Sequence, residues 1–140
     1  MACFLRMNVR RPLGDTLMAS RPFGRREMVE GGWRKERGKG PWAAVNLRVS
    51  DRDYFDFRGQ LADARRFLRR YQGPLGKVMA DPGCGRATLD FGVGDAIDGD
   101  RGPAAVMCFH LPKDLVAMAG ELGLDLEITI WWADPVGPPR

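Results

Sequence analysis

The sequence predicts an α+β fold in which strands and helices follow one another as β-α-β-β-α-β, and three observations predict it. After Trp42, apolar residues alternate with other residues in four separate runs, the period of a half-buried strand. Between these runs, apolar residues twice recur at spacings of three and four, the stripe of an amphipathic helix. Gly, Pro and Asp punctuate the gaps, where the chain has to turn.

The first strand is Ala43 to Ser50, where Ala43, Val45, Leu47 and Val49 alternate with Ala44, Asn46, Arg48 and Ser50. Phe57, Leu61, Ala64, Leu68 and Tyr71 then mark a helix near 55–71, stopped by Gly73-Pro74. Its arginines, Arg65, Arg66, Arg69 and Arg70, occupy the other faces and read as solvated. Ala87, Leu89, Phe91 and Val93 make a second strand. After a turn rich in Asp and Gly, Ala105, Met107, Phe109 and Leu111 make a third, expected over 104–111 as the hairpin partner of the second. Pro112 opens a short helix near 112–122 with Leu115, Met118, Ala119 and Leu122 on one side, closed by Gly123. Leu126, Ile128, Ile130 and Trp132 form the last strand, near 124–132.

This order is the split βαβ arrangement of ferredoxin-like folds: a four-stranded, mainly antiparallel sheet with two helices on one face. The expected core comprises Leu61, Leu68, Leu89, Phe91, Met107, Phe109, Leu115, Leu122, Leu126, Ile128 and Ile130. The opposite face would carry Arg48, Asp90, Cys108, His110, Glu127 and Trp131. It must be solvated, covered by the preceding residues, or used.

Residues 1–42 show no sustained period, although Phe4, Leu5, Met7 and Val9 suit one short strand. The expected division is an irregular, basic, Gly/Arg-rich segment over 1–42 and the α+β domain over 43–140. The net charge of +4 is unevenly placed: ten Lys or Arg against four acids before Ala43, twelve against fourteen after it. Pro12, Gly14 and Pro22 are expected to break any helix there, which argues against an amphipathic transit peptide. No apolar stretch approaches the roughly 18 residues of a membrane span, and no signal-peptide core is present. Three cysteines without a C-x-x-C suggest neither a disulfide framework nor zinc, and a cytoplasmic location is expected.

The residues exclude several chemistries. His110 is the only histidine, so a mechanism needing two imidazoles is closed to one chain. G-x-x-x-x-G-K-[ST], G-x-G-x-x-G at a helix start and G-x-S-x-G are absent. Asp95, Asp98 and Asp100 lack the spacing of a calcium loop, with Phe109 where a Glu would be needed. Cys84 lies between two glycines with no base nearby and reads as a turn residue. Neither a metal nor a cofactor is expected. Cys108 and His110, two apart on one expected strand with Asp90 on its neighbour, form the one constellation that a thiol-dependent enzyme could use, and that reading requires an accessible Cys108 of lowered pKa. Arg34, Lys35, Arg37 and Lys39, between Trp33 and Trp42, give the alternative of weak nucleic-acid binding.

Residues 43–132, through ATLDFGV and AVMCFHLPKDLVAMAGELGLDLEITIW, resemble small bacterial domains found among immunity proteins that neutralise a cognate toxin. The resemblance implies a non-enzymatic protein that binds a protein partner. The open sheet face is where that partner is expected.

Overall fold

In Cys3–Arg10, Cys3, Leu5, Met7 and Val9 alternate with Phe4, Arg6, Asn8 and Arg10, and the first set is buried to the last residue. This strand, β1, lies at the centre of the sheet in the computed structural model, which describes residues 3–24, 28–29, 40–94 and 108–131. It is followed by α1 (Arg11–Ser20), β2 (Met28–Val29), β3 (Trp42–Ser50), α2 (Phe57–Arg70), α3 (Gln72–Ala80), β4 (Cys84–Gly94), α4 (Lys113–Glu121) and β5 (Asp125–Trp131). The sheet runs β2-β3-β1-β4-β5: four principal strands, with the two-residue β2 on the β3 edge. β3 and β4 each pair antiparallel with β1, while β4 and β5 pair parallel across the α4 connection.

The α+β class and the helix-covered sheet are therefore present, and the sheet is mixed. The expected strand order needs two corrections. Residues 3–24 are not an irregular appendage, because β1 separates β3 from β4 and the sheet has no continuous centre without it. The expected boundary at 42/43 thus falls inside β3, after its first residue, within one sheet. Residues 108–111 are not in a strand: β1 and β5 occupy the two edges of β4, leaving no place for a hairpin partner. Residues 104–107 of that expected strand lie outside the described residues.

The described helices number four, two more than expected. In α1, Pro12 occupies the first turn, where its missing N–H leaves no bond unmade. Pro22 is a stop and not a break: Arg21, just before it, adopts the left-handed conformation (φ 46°) and donates its N–H to the Leu17 carbonyl. Pro74 plays the same starting role in α3. Tyr71 ends α2 and begins α3, so Gly73-Pro74 redirects the helical chain instead of ending it.

Leu5, Met7, Val45, Leu47, Leu89 and Phe91 of the sheet meet Leu17, Leu61, Ala64, Leu68, Leu75, Val78, Leu115 and Ala119 of the four helices in one core. All four helices therefore cover the same sheet face. Of the expected core, Leu61, Leu68, Leu89, Phe91 and Leu115 are buried. Leu122, Leu126, Ile128 and Ile130 are only half-buried, as is Phe109, which packs edge-on against the Phe57 ring at 5.4 Å. β5 is an edge strand and receives only part of the helical cover. Met107 lies outside the described residues.

A bulge shapes one end of the sheet. Phe4 pairs with Arg48 but Cys3 with Ser50, so Val49 is the extra residue and Ser50 turns to the helix side. There its hydroxyl donates to Asp63 of α2 at 2.7 Å. Burial opposes a charge on Asp63, but the Ser50 hydroxyl, the Arg66 guanidinium and Arg52 outweigh it and hold the carboxyl below its usual range. A carboxyl lowered in the folded state contributes stability that is complete above the unfolded value of about 3.9 and is lost as pH falls through the folded value. Asp63→Asn should therefore unfold at lower denaturant than the wild type at pH 7, with the gap narrowing as pH falls below the unfolded value of about 3.9. A gap that does not narrow as the protein is acidified past that value would remove this carboxylate from the stabilising interactions.

Candidate functional site

The sheet face turned away from the helices is built from alternate residues of four strands. β1 supplies Phe4, Arg6, Asn8 and Arg10; β3 supplies Trp42, Ala44, Asn46 and Arg48. β4 supplies Thr88 and Asp90, and β5 supplies Asp125, Glu127, Thr129 and Trp131. No helix lies over them among the described residues.

The centre of this face is fixed. Asp90 is almost fully buried although it points away from the core, because its neighbours close over it. One of its oxygens pairs with the Arg6 guanidinium and the other accepts the Thr129 hydroxyl at 2.8 Å. Register explains the meeting: Asp90 is one position along from the buried Leu89 and Phe91, and the neighbouring strands bring Arg6 and Thr129 from either side.

Both ends of the face carry aromatic residues. At one end Arg10 stacks over Trp42 at 4.4 Å, and the indole reaches across β1 to Gly85. A Cβ at Gly85 would lie 3.0 Å from that ring and 3.1 Å from the Asn8 carbonyl, so a side chain there would displace the tryptophan. At the other end Trp131, 55% exposed, packs at 6.1 Å against Tyr54. Tyr54 belongs to the loop 51–56, which Gly94 fastens by donating to the Tyr54 carbonyl at 2.8 Å. Gly94 is also where Phe55 crosses β4: a Cβ would stand 2.8 Å from its ring. Gln60, wholly buried in α2, holds the same loop by donating to the carbonyls of Asp53 and Gly92 at 3.0 and 2.8 Å. Tyr54, Phe55 and Trp131 thus form an exposed aromatic corner on a braced loop.

Among the residues expected on this face, Asp90, Glu127 and Trp131 are there. Arg48 starts from it but, at the bulge, runs toward the sheet edge, where it pairs with Asp51 at 3.4 Å and lines a cleft beside α2. Cys108 and His110 are elsewhere. They flank Phe109, whose ring sits on Phe57 of the helix layer, and both line a groove with Phe57, Arg58, Leu61, Arg65 and Pro112. The Cys108/His110/Asp90 constellation is therefore not assembled, since residues 108–111 form no strand and Asp90, among the described residues, bonds Arg6 and Thr129 of the open face. Arg34, Lys35, Arg37 and Lys39 of the nucleic-acid alternative lie outside the described residues, as does Trp33. Sequence reasoning missed Arg6, Arg10, Trp42 and Tyr54 as members of the face. The alternation Phe4, Arg6, Asn8, Arg10 is the signal from which two of them could have been placed.

The cysteines differ sharply in access. Cys3 is wholly buried, and burial, then the Asp90 and Asp63 carboxyls, pushes its thiol well above the usual value. Cys84 is half-buried and raised by burial and then by Asp81, while Cys108 is exposed. A thiol reagent at pH 8 should label Cys108 first, Cys84 more slowly and Cys3 only on unfolding. Mass spectrometry of partially labelled protein reads the order, and early labelling of Cys3 would contradict the central position of β1.

Among the described residues no helix is long and apolar enough to cross a membrane. Comparison of the chain with protein families, curated proteins and solved structures finds no match.

Proposed function

We propose that the chain is a non-enzymatic binding protein that takes a protein partner on the sheet face opposite its helices. The observation that carries this reading is the make-up of that face, with exposed aromatic groups at both ends of a fixed Arg6–Asp90–Thr129 centre. Exposed aromatics on a rigid support are the groups that contribute most when a partner desolvates them. The charges favour a protein over a nucleic acid. Arg6 and Arg10 stand on β1, whereas Asp90, Asp125 and Glu127 stand on β4 and β5 with Arg86, which pairs with Asp125 at 2.8 Å, so phosphates laid across the face would meet three carboxylates against one arginine there. A protein surface can present both signs. The immunity-type version, in which the partner is a toxin, is supported by the resemblance of ATLDFGV and AVMCFHLPKDLVAMAGELGLDLEITIW.

The test titrates a partner, captured with the wild-type chain and identified, against Trp131→Ala and Glu127→Arg. Trp131→Ala should weaken binding at least about tenfold, and both variants should melt within about 2 °C of the wild type. Unchanged affinity in both would sink the reading.

A further inference from the structure

The helical arginines read from the sequence as a solvated face do not all behave as one. Arg66, Arg69 and Arg70 of α2 recur at helical spacing with Asp63, Phe67 and Tyr71, and together with Arg48 to Asp51 of the bulged β3 end they line a cleft of about 550 Å³. That size is within the range of small-ligand sites. The cleft holds four guanidinium groups, Arg48, Arg66, Arg69 and Arg70, against two carboxylates, Asp51 and Asp63, an excess of two positive charges.

The carboxylates are committed. Asp63 accepts the Ser50 hydroxyl, pairs with Arg66 and has Arg52 at 3.5 Å. The cations are less so. Arg70 lies over the Tyr71 ring at 5.2 Å with no carboxylate in ion-pair range among the described residues. Among the described residues Arg69 reaches only Asp114, at 3.7 Å and outside the cleft. Arg48 has its buried Nε facing Asp51 at 3.4 Å, with no hydrogen bond to it among the described residues.

We infer that this cleft is a binding site for a small phosphate monoester. Such a group carries a charge of roughly −1.5 to −2 at pH 7, which matches the excess of two, and guanidinium forks bind phosphate oxygens in pairs. Ser50 and Asp63 fix the floor of the cleft through the bulge, while Phe67 and Tyr71, packed at 4.9 Å, give it an aromatic wall beside which the ester's organic part can lie. The site is separate from the open sheet face and does not depend on it.

The experiment is calorimetric titration of the full chain with phenyl phosphate at pH 7.5 and low salt, with phenyl sulfate, a monoanion of similar shape, in parallel. Phenyl phosphate should bind saturably with one site per chain and more tightly than phenyl sulfate. Arg70→Gln and Arg66→Gln, both on the helix surface, should each weaken it about tenfold, the loss expected for one charge-assisted contact. Arg86→Gln, on β4 away from the cleft, should bind as the wild type does. Absence of saturable binding would overturn the inference, as would equal binding of the two esters or full affinity in both cleft variants. If a single-stranded oligonucleotide binds more tightly, with a steep salt dependence abolished by the same substitutions, the site belongs to nucleic acid and the inference also falls. Two cleft variants guard against one of them failing to fold.

Discussion

A chain lacking residues 1–10 is expected not to fold. β1 is hydrogen-bonded to β3 on one side and β4 on the other, and Cys3, Leu5, Met7 and Val9 are all buried beneath the helices. Removing it leaves two facing strand edges of unpaired N–H and C=O groups and opens the core along its middle, losses that no neighbouring element can fill. Circular dichroism of the truncated chain should show no cooperative thermal transition, where the full chain shows one. A truncated chain melting within about 5 °C of the full length would place the strand at the periphery, in conflict with its pairing. The same reasoning rules out truncation of 1–41 as a way to ask whether the early residues cover the open face, because that deletion removes a structural strand and α1 together.

Phe91→Ala should cost about 3–5 kcal/mol, among the largest losses of any single substitution here. Phe91 is fully buried, stacks edge-on with Phe57 at 5.8 Å, and pairs with Cys3 on one side and Ile128 on the other. It therefore joins the sheet centre, the β5 edge and the start of α2, and truncation leaves a cavity that three elements would have to close. Phe91→Leu, which keeps most of the volume, should cost only about 1 kcal/mol. Urea unfolding of both measures the difference, and a loss below about 1 kcal/mol for the alanine variant would show that the core closes over the gap.

Elements whose burial is periodic within the segment were legible in the sequence. β3, β4, β5, α2 and α4 all have a clean apolar stripe, and the structure places each within a few residues of its expected position. β1 carries the same alternation. It was read as part of an irregular segment because Pro12 and several glycines follow it, and because the pairing that makes it central is with strands some 40 and 80 residues away in sequence. α1 and α3 were hidden by proline, which starts a helix as readily as it ends one. The alternation around Phe109 and Leu111 misled in the opposite sense: residues 108–111 lay Phe109 on Phe57 without a strand partner among the described residues.

The candidate sites follow the same division. Asp90, Glu127 and Trp131 could be assigned to the open face from strand period alone. Arg6 as the partner of Asp90, Tyr54 under Trp131 and the turning of Ser50 toward Asp63 depend on register, on a loop crossing at Gly94 and on a one-residue bulge, none of which has a local sequence signal. The arginine spacing in α2 was visible, but only the bulge brings Arg48 to the same cleft.

The open sheet face as the docking surface is tested most directly by hydroxyl-radical footprinting of the full chain with and without its captured partner. Trp131, Tyr54 and Trp42 should lose reactivity in the complex, while Val116 and Met118 of α4, on the helix layer, react as before. Protection of α4 with Trp131 and Trp42 unchanged would contradict it, and would move the interface to the other side of the molecule.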